Sequence, residues 1–382
     1  MLCGLVIHGY SITPGYYGAR SLSLGYASTA FNYDINSIFY NPAILSSMNY
    51  TLWGYQYQHS YMGYNNFAED LNQALEFDLK NFESLSSEDK TTLFSQLEDI
   101  FQSKAGLWGN RSNIPGYAAR NYGVSFAVVD TAIIDPVQPA ENFFAQDAQD
   151  ISNADIASLQ MNFTGLKYKQ ISLAFALEVY PSVNAGVTLH YLNGKLTEFR
   201  TSITDSIFTP AAETKDYLEY GWGKAEEKFS KIVADAGILV NLGQYFNIGV
   251  VYKNFGAAKI KTPSRTITLS KRITAGFAFK PNAQWGIYVD IDVKKSKLLY
   301  NGQDMQPISV GIEKGFFENK LFLRAGILND LTEKKLFGKN SNALYGFGVG
   351  FNMGKFVVDA GLGIDSNGTV KNLAVSGFIL MK

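Results

Sequence analysis

Apolar residues alternate with small or polar ones at a period of two along this chain, over stretches longer than ordinary strands. Trp285, Ile287, Val289, Ile291 and Val293 fall on one face of an extended segment, with Gly286, Tyr288, Asp290, Asp292 and Lys294 on the other. Ile171, Leu173, Phe175, Leu177 and Val179 alternate in the same way with Ser172, Ala174, Ala176 and Glu178. The period returns at Val183 to Tyr191 and at Tyr345 to Phe351, where Gly346, Gly348 and Gly350 occupy the second face. Strands of about ten residues exceed the five or six usual in soluble sheets and point to a membrane β-barrel.

Composition removes the alternatives. The longest apolar runs reach only about five residues, against the 18 or more that a spanning helix requires. With 35 Gly, 10 Pro, 27 Phe, 23 Tyr and 4 Trp, the chain suits strands with small inward residues and aromatic girdles. A net charge of -1 and the lack of a basic run leave nothing to neutralise a phosphate backbone, so no nucleic-acid partner is expected. Cys3 stands alone, and His8, His59 and His190 are far apart, so neither a disulfide framework nor a metal or other cofactor is expected.

Strand boundaries placed by alternation give fourteen strands: 50–60, 104–114, 121–130, 166–179, 183–196, 231–242, 245–256, 265–280, 284–295, 306–314, 320–328, 342–353, 355–365 and 370–381. The connections sort by parity. One set is short (115–120, 181–182 and Gly354, for example), and the other holds every long insertion, including 61–103, 131–165 and 197–230. Outer-membrane barrels carry short periplasmic turns and long outer loops, so both termini are expected to be periplasmic. The predicted fold is thus a 14-stranded antiparallel transmembrane β-barrel over 50–382, preceded by a plug within 1–49. Within the first long loop, about 65–103, Leu71, Leu75, Leu79 and Phe82, then Thr91, Leu93, Leu97, Ile100 and Phe101, recur at helical spacing and predict two amphipathic helices. These helices are expected to offer a surface to a protein partner. Asp365-Ser366-Asn367-Gly368 reads as a tight hairpin turn.

Charged residues fall on faces that alternation assigns to the lumen: Asp235, Lys253, Asp290, Asp292, Glu313, Arg324 and Asp359. A lumenal ion-pair network is expected from them. The run Gly346-x-Gly348-x-Gly350 lacks the following helix of a phosphate loop and reads as lumen-facing strand glycines. No nucleophile, base and orienting group are placed together, so no enzyme is expected.

Ahead of the first strand, Gly18 to Asp34 is small and polar and leads to Asn41-Pro42-Ala43, where Asn caps and Pro opens a short helix. Met1 to Tyr10 lacks a positive n-region and reads as the remnant of a truncated export signal. Residues Gly18-Ala19-Arg20, Asp34 and Asn41-Pro42-Ala43 resemble the opening of the FadL-type outer-membrane barrels. Pro115-Gly116-Tyr117-Ala118-Ala119-Arg120 and the helical insertion look most like the conjugal-transfer TraF-like branch. That resemblance implies passive transport of hydrophobic molecules such as fatty acids, with Asp34, Asn41, Pro42 and Ala43 shaping a gating plug. Partners implied are outer-membrane lipid and a hydrophobic small molecule. The alternative is a closed barrel serving as a scaffold in secretion, conjugation or surface attachment. From sequence, Asn41→Ala is expected to loosen the plug by about 1 kcal/mol, and Arg at Tyr288 to be tolerated far better than Arg at Val289.

Overall fold

The computed structural model describes residues 18–31, 34–64, 67–102, 106–205, 226–256, 259–261, 266–269, 271–297, 304–332, 343–366 and 370–381. Fourteen strands close one antiparallel barrel: β1 Thr51–Tyr64, β2 Gly106–Ala119, β3 Tyr122–Pro136, β4 Gln160–Tyr180, β5 Val183–Ser202, β6 Glu226–Leu242 and β7 Phe246–Phe255, followed by β8 Arg272–Asn282, β9 Trp285–Asp292, β10 Pro307–Phe316, β11 Leu321–Asp330, β12 Leu344–Asn352, β13 Phe356–Asp365 and β14 Val370–Met381. Each pairs with its neighbours along the chain, and β1 seals against β14 from Thr51↔Met381 to Ser60↔Asn372. Two short antiparallel strand pairs, Lys259–Lys261 with Thr266–Thr268 and Ser296–Lys297 with Asp304–Met305, lie between barrel strands in the sequence.

Alternation sets the faces. Phe175, Leu177, Val187, Leu189 and Phe347 are exposed, while Ser172, Thr188, Asp292 and Ser376 between or beside them are buried. An open apolar exterior fits a barrel solvated by lipid. Trp53 packs edge-on against Tyr117 at 5.0 Å, and Tyr117 meets Tyr122 at 5.7 Å, all at the short-turn end. Such clusters form the aromatic girdle at one interface. The short turns reverse through left-handed residues, among them Asn121 (φ 74°), Ser182 (φ 70°), Gly243 (φ 69°) and Gly354 (φ 80°).

Several boundaries shift from the sequence reading. Pro115 to Ala119 lies inside β2 rather than in a turn, and the ladder to β3 skips Ile114 and Pro115 because Pro has no N–H to donate. β3, β4, β5 and β6 all run farther toward the long loops than predicted. There the outward residues Ala132, Ile134, Met161 and Phe163 are covered by protein, so the lipid-facing pattern that marked the strands is lost. The cover is a helical cap: α3 Phe67–Ala74, a 3-10 turn at Leu79–Ser84, α4 Ser87–Gln102 and α5 Asn153–Ser158. Leu71, Leu75, Phe82, Leu93, Leu97 and Phe101 fill its core, whereas Thr91, placed by spacing on the apolar face, is exposed. Ser152 and Asp155 close a reciprocal capping box at α5. Asn367 and Gly368 of the expected hairpin turn lie outside the described residues.

Candidate functional site: the occupied lumen

Residues 18–31 and 34–48 fold inside the barrel. They form α1, a five-residue helix at Ala19–Ser23, then α2, a single turn at Ser37–Tyr40, and a 3-10 turn at Pro42–Ser47. The first helix lies against β12, β13 and β14, and the 3-10 turn against β4, β5 and β6. What lets a backbone approach a barrel wall this closely is a belt of inward glycines. A Cβ at Gly311 would stand 2.6 Å from the Leu24 carbonyl, one at Gly186 2.5 Å from the Ala43 amide, and one at Gly123 2.8 Å from Ile38. Gly237, Gly249, Gly326, Gly346 and Gly361 face the same segment as tightly. Several are cross-strand pairs, including Gly186↔Gly237, Gly249↔Gly276 and Gly311↔Gly326. The seat therefore consists of bare backbone on one side of the contact.

Asn41 ties this segment to the wall. Its Oδ1 accepts from the Ala43 amide at 3.1 Å, capping the 3-10 turn that Pro42 opens, while Nδ2 donates to the Thr29 carbonyl at 2.9 Å and the Ile238 carbonyl at 3.1 Å. The cap contributes about 1 kcal/mol, and each further buried bond about 0.5–1.5 kcal/mol. Asn41→Ala is thus expected to destabilise the refolded protein by about 2–3 kcal/mol in a urea titration, more than capping alone gives. A loss below 0.5 kcal/mol would show that the wall bonds contribute nothing. Ala43 is fully buried. Asp34 Oδ1 accepts from the Asn36 amide at 2.7 Å, and its Oδ2 is buried with no hydrogen-bond partner among the described residues.

The seven lumenal charges do not form one network. Glu313, Arg324 and Asp359 do cluster: Arg324 Nε donates to Glu313 Oε2 at 2.6 Å and Nη1 to Asp359 Oδ1 at 2.5 Å, with every side chain at most 6% exposed. Arg20, from the inner segment, completes it through Nη2 to Glu313 Oε1 at 2.8 Å. Asp290 makes a different kind of contact. Its Oδ2 accepts from the Ser28 and Thr29 amides at 2.8 and 2.9 Å and from the Thr29 hydroxyl at 2.7 Å, so it anchors the segment. Asp292 pairs with Arg272 at 2.5 Å and accepts from Thr274 at 2.7 Å. Asp235 meets His190 Nε2 at 3.2 Å and accepts the Asn254 amide at 2.8 Å. Lys253 has no ion-pair partner among the described residues. The charges separate because strand register and the glycine belt place them at different points around the occupied lumen.

Two clusters escaped sequence reasoning. Phe31 stacks on Tyr288 at 5.5 Å between the Arg20 guanidinium (5.0 Å) and the Lys280 ammonium (4.0 Å). Tyr288 is 2% exposed and its hydroxyl donates to Glu313. Arg at Tyr288 would disrupt this packing, which corrects the expectation that the position is tolerant. His190 Nδ1 lies 2.8 Å from Ser172 Oγ and 2.9 Å from Gln170 Nε2, and Phe39 stacks on the ring at 5.9 Å. Ser172 is fully buried and also accepts from Gln170, so this trio is a satisfied packing network. The alternation that places Ser172 and His190 inward was visible; their pairing across β4 and β5 needed the register.

Two concavities flank the Asn41 turn. At the short-turn mouth, a polar cleft of about 890 Å³ is lined by Phe31, Met48, Asn184, Tyr245, Lys280 and their neighbours. On the outer wall, an apolar hollow of about 490 Å³ is rimmed by Phe175, Leu177, Val187, Ile238, Val250 and Tyr252. Its floor includes Ala185, Ala236 and the glycine pair Gly186 and Gly237, behind which Asn41 to Ala43 sit.

This fourteen-stranded antiparallel barrel has the fold of several solved hydrocarbon channels and transporters. The Ralstonia pickettii toluene transporter TbuX superposes with a TM-score of 0.55 at 12% identity, covering 96% of this chain and 98% of that one. The Pseudomonas putida toluene transporter TodX gives a TM-score of 0.52 at 11% identity over 95% and 97% of the two chains. A Pseudomonas aeruginosa FadL homologue gives 0.51 at 10% identity over 95% and 98%. No curated protein matches. Residues 38–292 match the family described as "F plasmid transfer operon, TraF, protein", and the chain belongs to that family.

Proposed function

We propose that this barrel passes small hydrophobic solutes across the outer membrane without energy input, with the segment at 18–48 acting as its gate and the long loops facing the cell exterior. The observation that carries this reading is the lumenal lining. A continuous buried apolar cluster runs from Ile38, Phe39 and Leu45 of the inner segment along the inward faces of β4, β5 and β6 through Tyr168, Leu192, Leu196, Phe229 and Val233 to Ile260 and Leu269. Water-filled barrels line their interiors with polar groups instead. TbuX and TodX are toluene transporters, which supports the same class of solute. The apolar hollow outside Gly186 and Gly237 adds an apolar surface at the level of the Asn41 turn.

The test is uptake of a radiolabelled monoaromatic hydrocarbon by cells of a Gram-negative host that lacks its own such channel. Expression of the chain is expected to raise the initial rate several-fold, and Leu192→Asp to abolish the gain while the barrel still assembles. Equal rates with and without the chain would overturn the reading. A scaffold role draws on a different observation. The cap segments 67–102 and 137–159 hold Lys80 and Lys90 as their only bases among many Asp and Glu, a charged outer surface suited to a cationic protein partner.

A further inference from the structure

The apolar exterior band ends abruptly on one side of the barrel. Toward the long loops, the outward positions of β2 to β6 turn to charge, and the registers set these charges in one row. Arg111 stands opposite Asp130, Asp130 opposite Lys167, Lys167 opposite Lys195, and Lys195 opposite Lys228. All share the face of the exposed Phe126, Ile171, Tyr191 and Ile232, and Lys169 lies on that face beside Lys167. Asp130 is the single acid of the row, held by Arg111 at 2.9 Å and Lys167 at 3.6 Å, and the side chains of those two cations remain 47% and 51% exposed.

Like charges directly opposite each other on a sheet repel, so three lysines abreast favour an anion lying across them. Their height names its source. Below Lys169 come Ile171, Leu173 and Phe175, which face hydrocarbon, and beyond the row Ala132, Ile134 and Phe163 are covered by the cap. The row thus stands where lipid headgroups meet the wall. Adjacent strands lie about 4.8 Å apart, so Lys167 to Lys228 spans roughly 10 Å, a width suited to a headgroup with two separated phosphates. The acidic cap above disfavours an anion any higher.

We propose that this row binds the phosphates of an outer-leaflet saccharolipid, a phosphorylated diglucosamine headgroup lying across β4 to β6 with its acyl chains against the band below. The inference rests on the orientation given under the proposed function. The test is native mass spectrometry of the full chain in detergent, titrated with bisphosphorylated lipid A, its dephosphorylated form and phosphatidylglycerol. The wild type is expected to retain lipid A and to bind the dephosphorylated form at least tenfold more weakly. Lys167→Gln, Lys195→Gln and Lys228→Gln together should weaken lipid A binding on the order of 100-fold, at about 1 kcal/mol per charge and tenfold per 1.4 kcal/mol. Lys314→Gln with Lys355→Gln, at the short-turn end, should leave it unchanged. Asp130→Asn, which removes the competing acid, should tighten binding and shows the site in a variant that keeps all the cations. Equal binding by the triple variant, or by the dephosphorylated lipid, would overturn the proposal. Protease added to intact cells separates the two failures. Cleavage in the cap with no lipid A selectivity rejects the site alone, whereas cleavage only at the short turns, with phosphatidylglycerol the preferred lipid, rejects the orientation.

Discussion

Replacing Arg324 by methionine is expected to lower the stability of the barrel by about 3–5 kcal/mol, the usual cost of stranding buried charge. Arg324 is the cation between Glu313 and Asp359, and its side chain is 3% exposed. Methionine keeps much of the volume but leaves Asp359 without that ion pair and Glu313 with Arg20 alone. Urea unfolding in lipid vesicles, followed by tryptophan fluorescence, measures the change. Adding Asp359→Asn to the variant should recover part of the loss, since the stranded charge goes with it. A loss under 1 kcal/mol, or no recovery in the double variant, would mean that the cluster is solvated and that the inner segment does not seal it.

A second large effect belongs to the exterior. Val289→Arg places a cation in the middle of the hydrocarbon, where the cost is roughly 2–4 kcal/mol, falling to about 0–1 kcal/mol near the interface. Val293, just past the end of β9 and on the same face by alternation, is 51% exposed and supplies the comparison. Val289→Arg should therefore destabilise several times more than Val293→Arg in the same unfolding experiment. Equal effects at the two depths would place the bilayer elsewhere on the wall.

How much of this was legible follows from which solvent each face meets. β9 to β14 read close to their true ends because one face touches lipid and the other the lumen, so hydropathy flips at every residue, as in Phe347, Gly348 and Val349, whereas the eighth strand, read from 265, begins only at Arg272. The outer parts of β4 and β5 were read short because Met161 and Phe163 pack beneath helices and their neighbours mix polarity. In the lumen, alternation found which side Asp290 and Arg324 face but not their partners. Those partners, Thr29 and Asp359, come from positions 261 and 35 residues away, and only the barrel's register brings them together. The inner glycines were visible as strand glycines; that they form a seat required knowing what sits on them.

That seat bears on how the molecule is made. The Ala19 amide donates to Ser376 Oγ at 3.1 Å, a contact between residues 357 apart in sequence. One end of the chain is synthesised first and the other last, and with no clearance at the glycine belt the early end cannot be threaded into a finished cylinder. It must wait, and the seam between β1 and β14 must zip around it. Loop-closure entropy makes such distant pairings late and slow. Enclosure is therefore expected to be slower than strand formation, with chaperones or an insertase acting longest on a nearly complete sheet still open at that single seam.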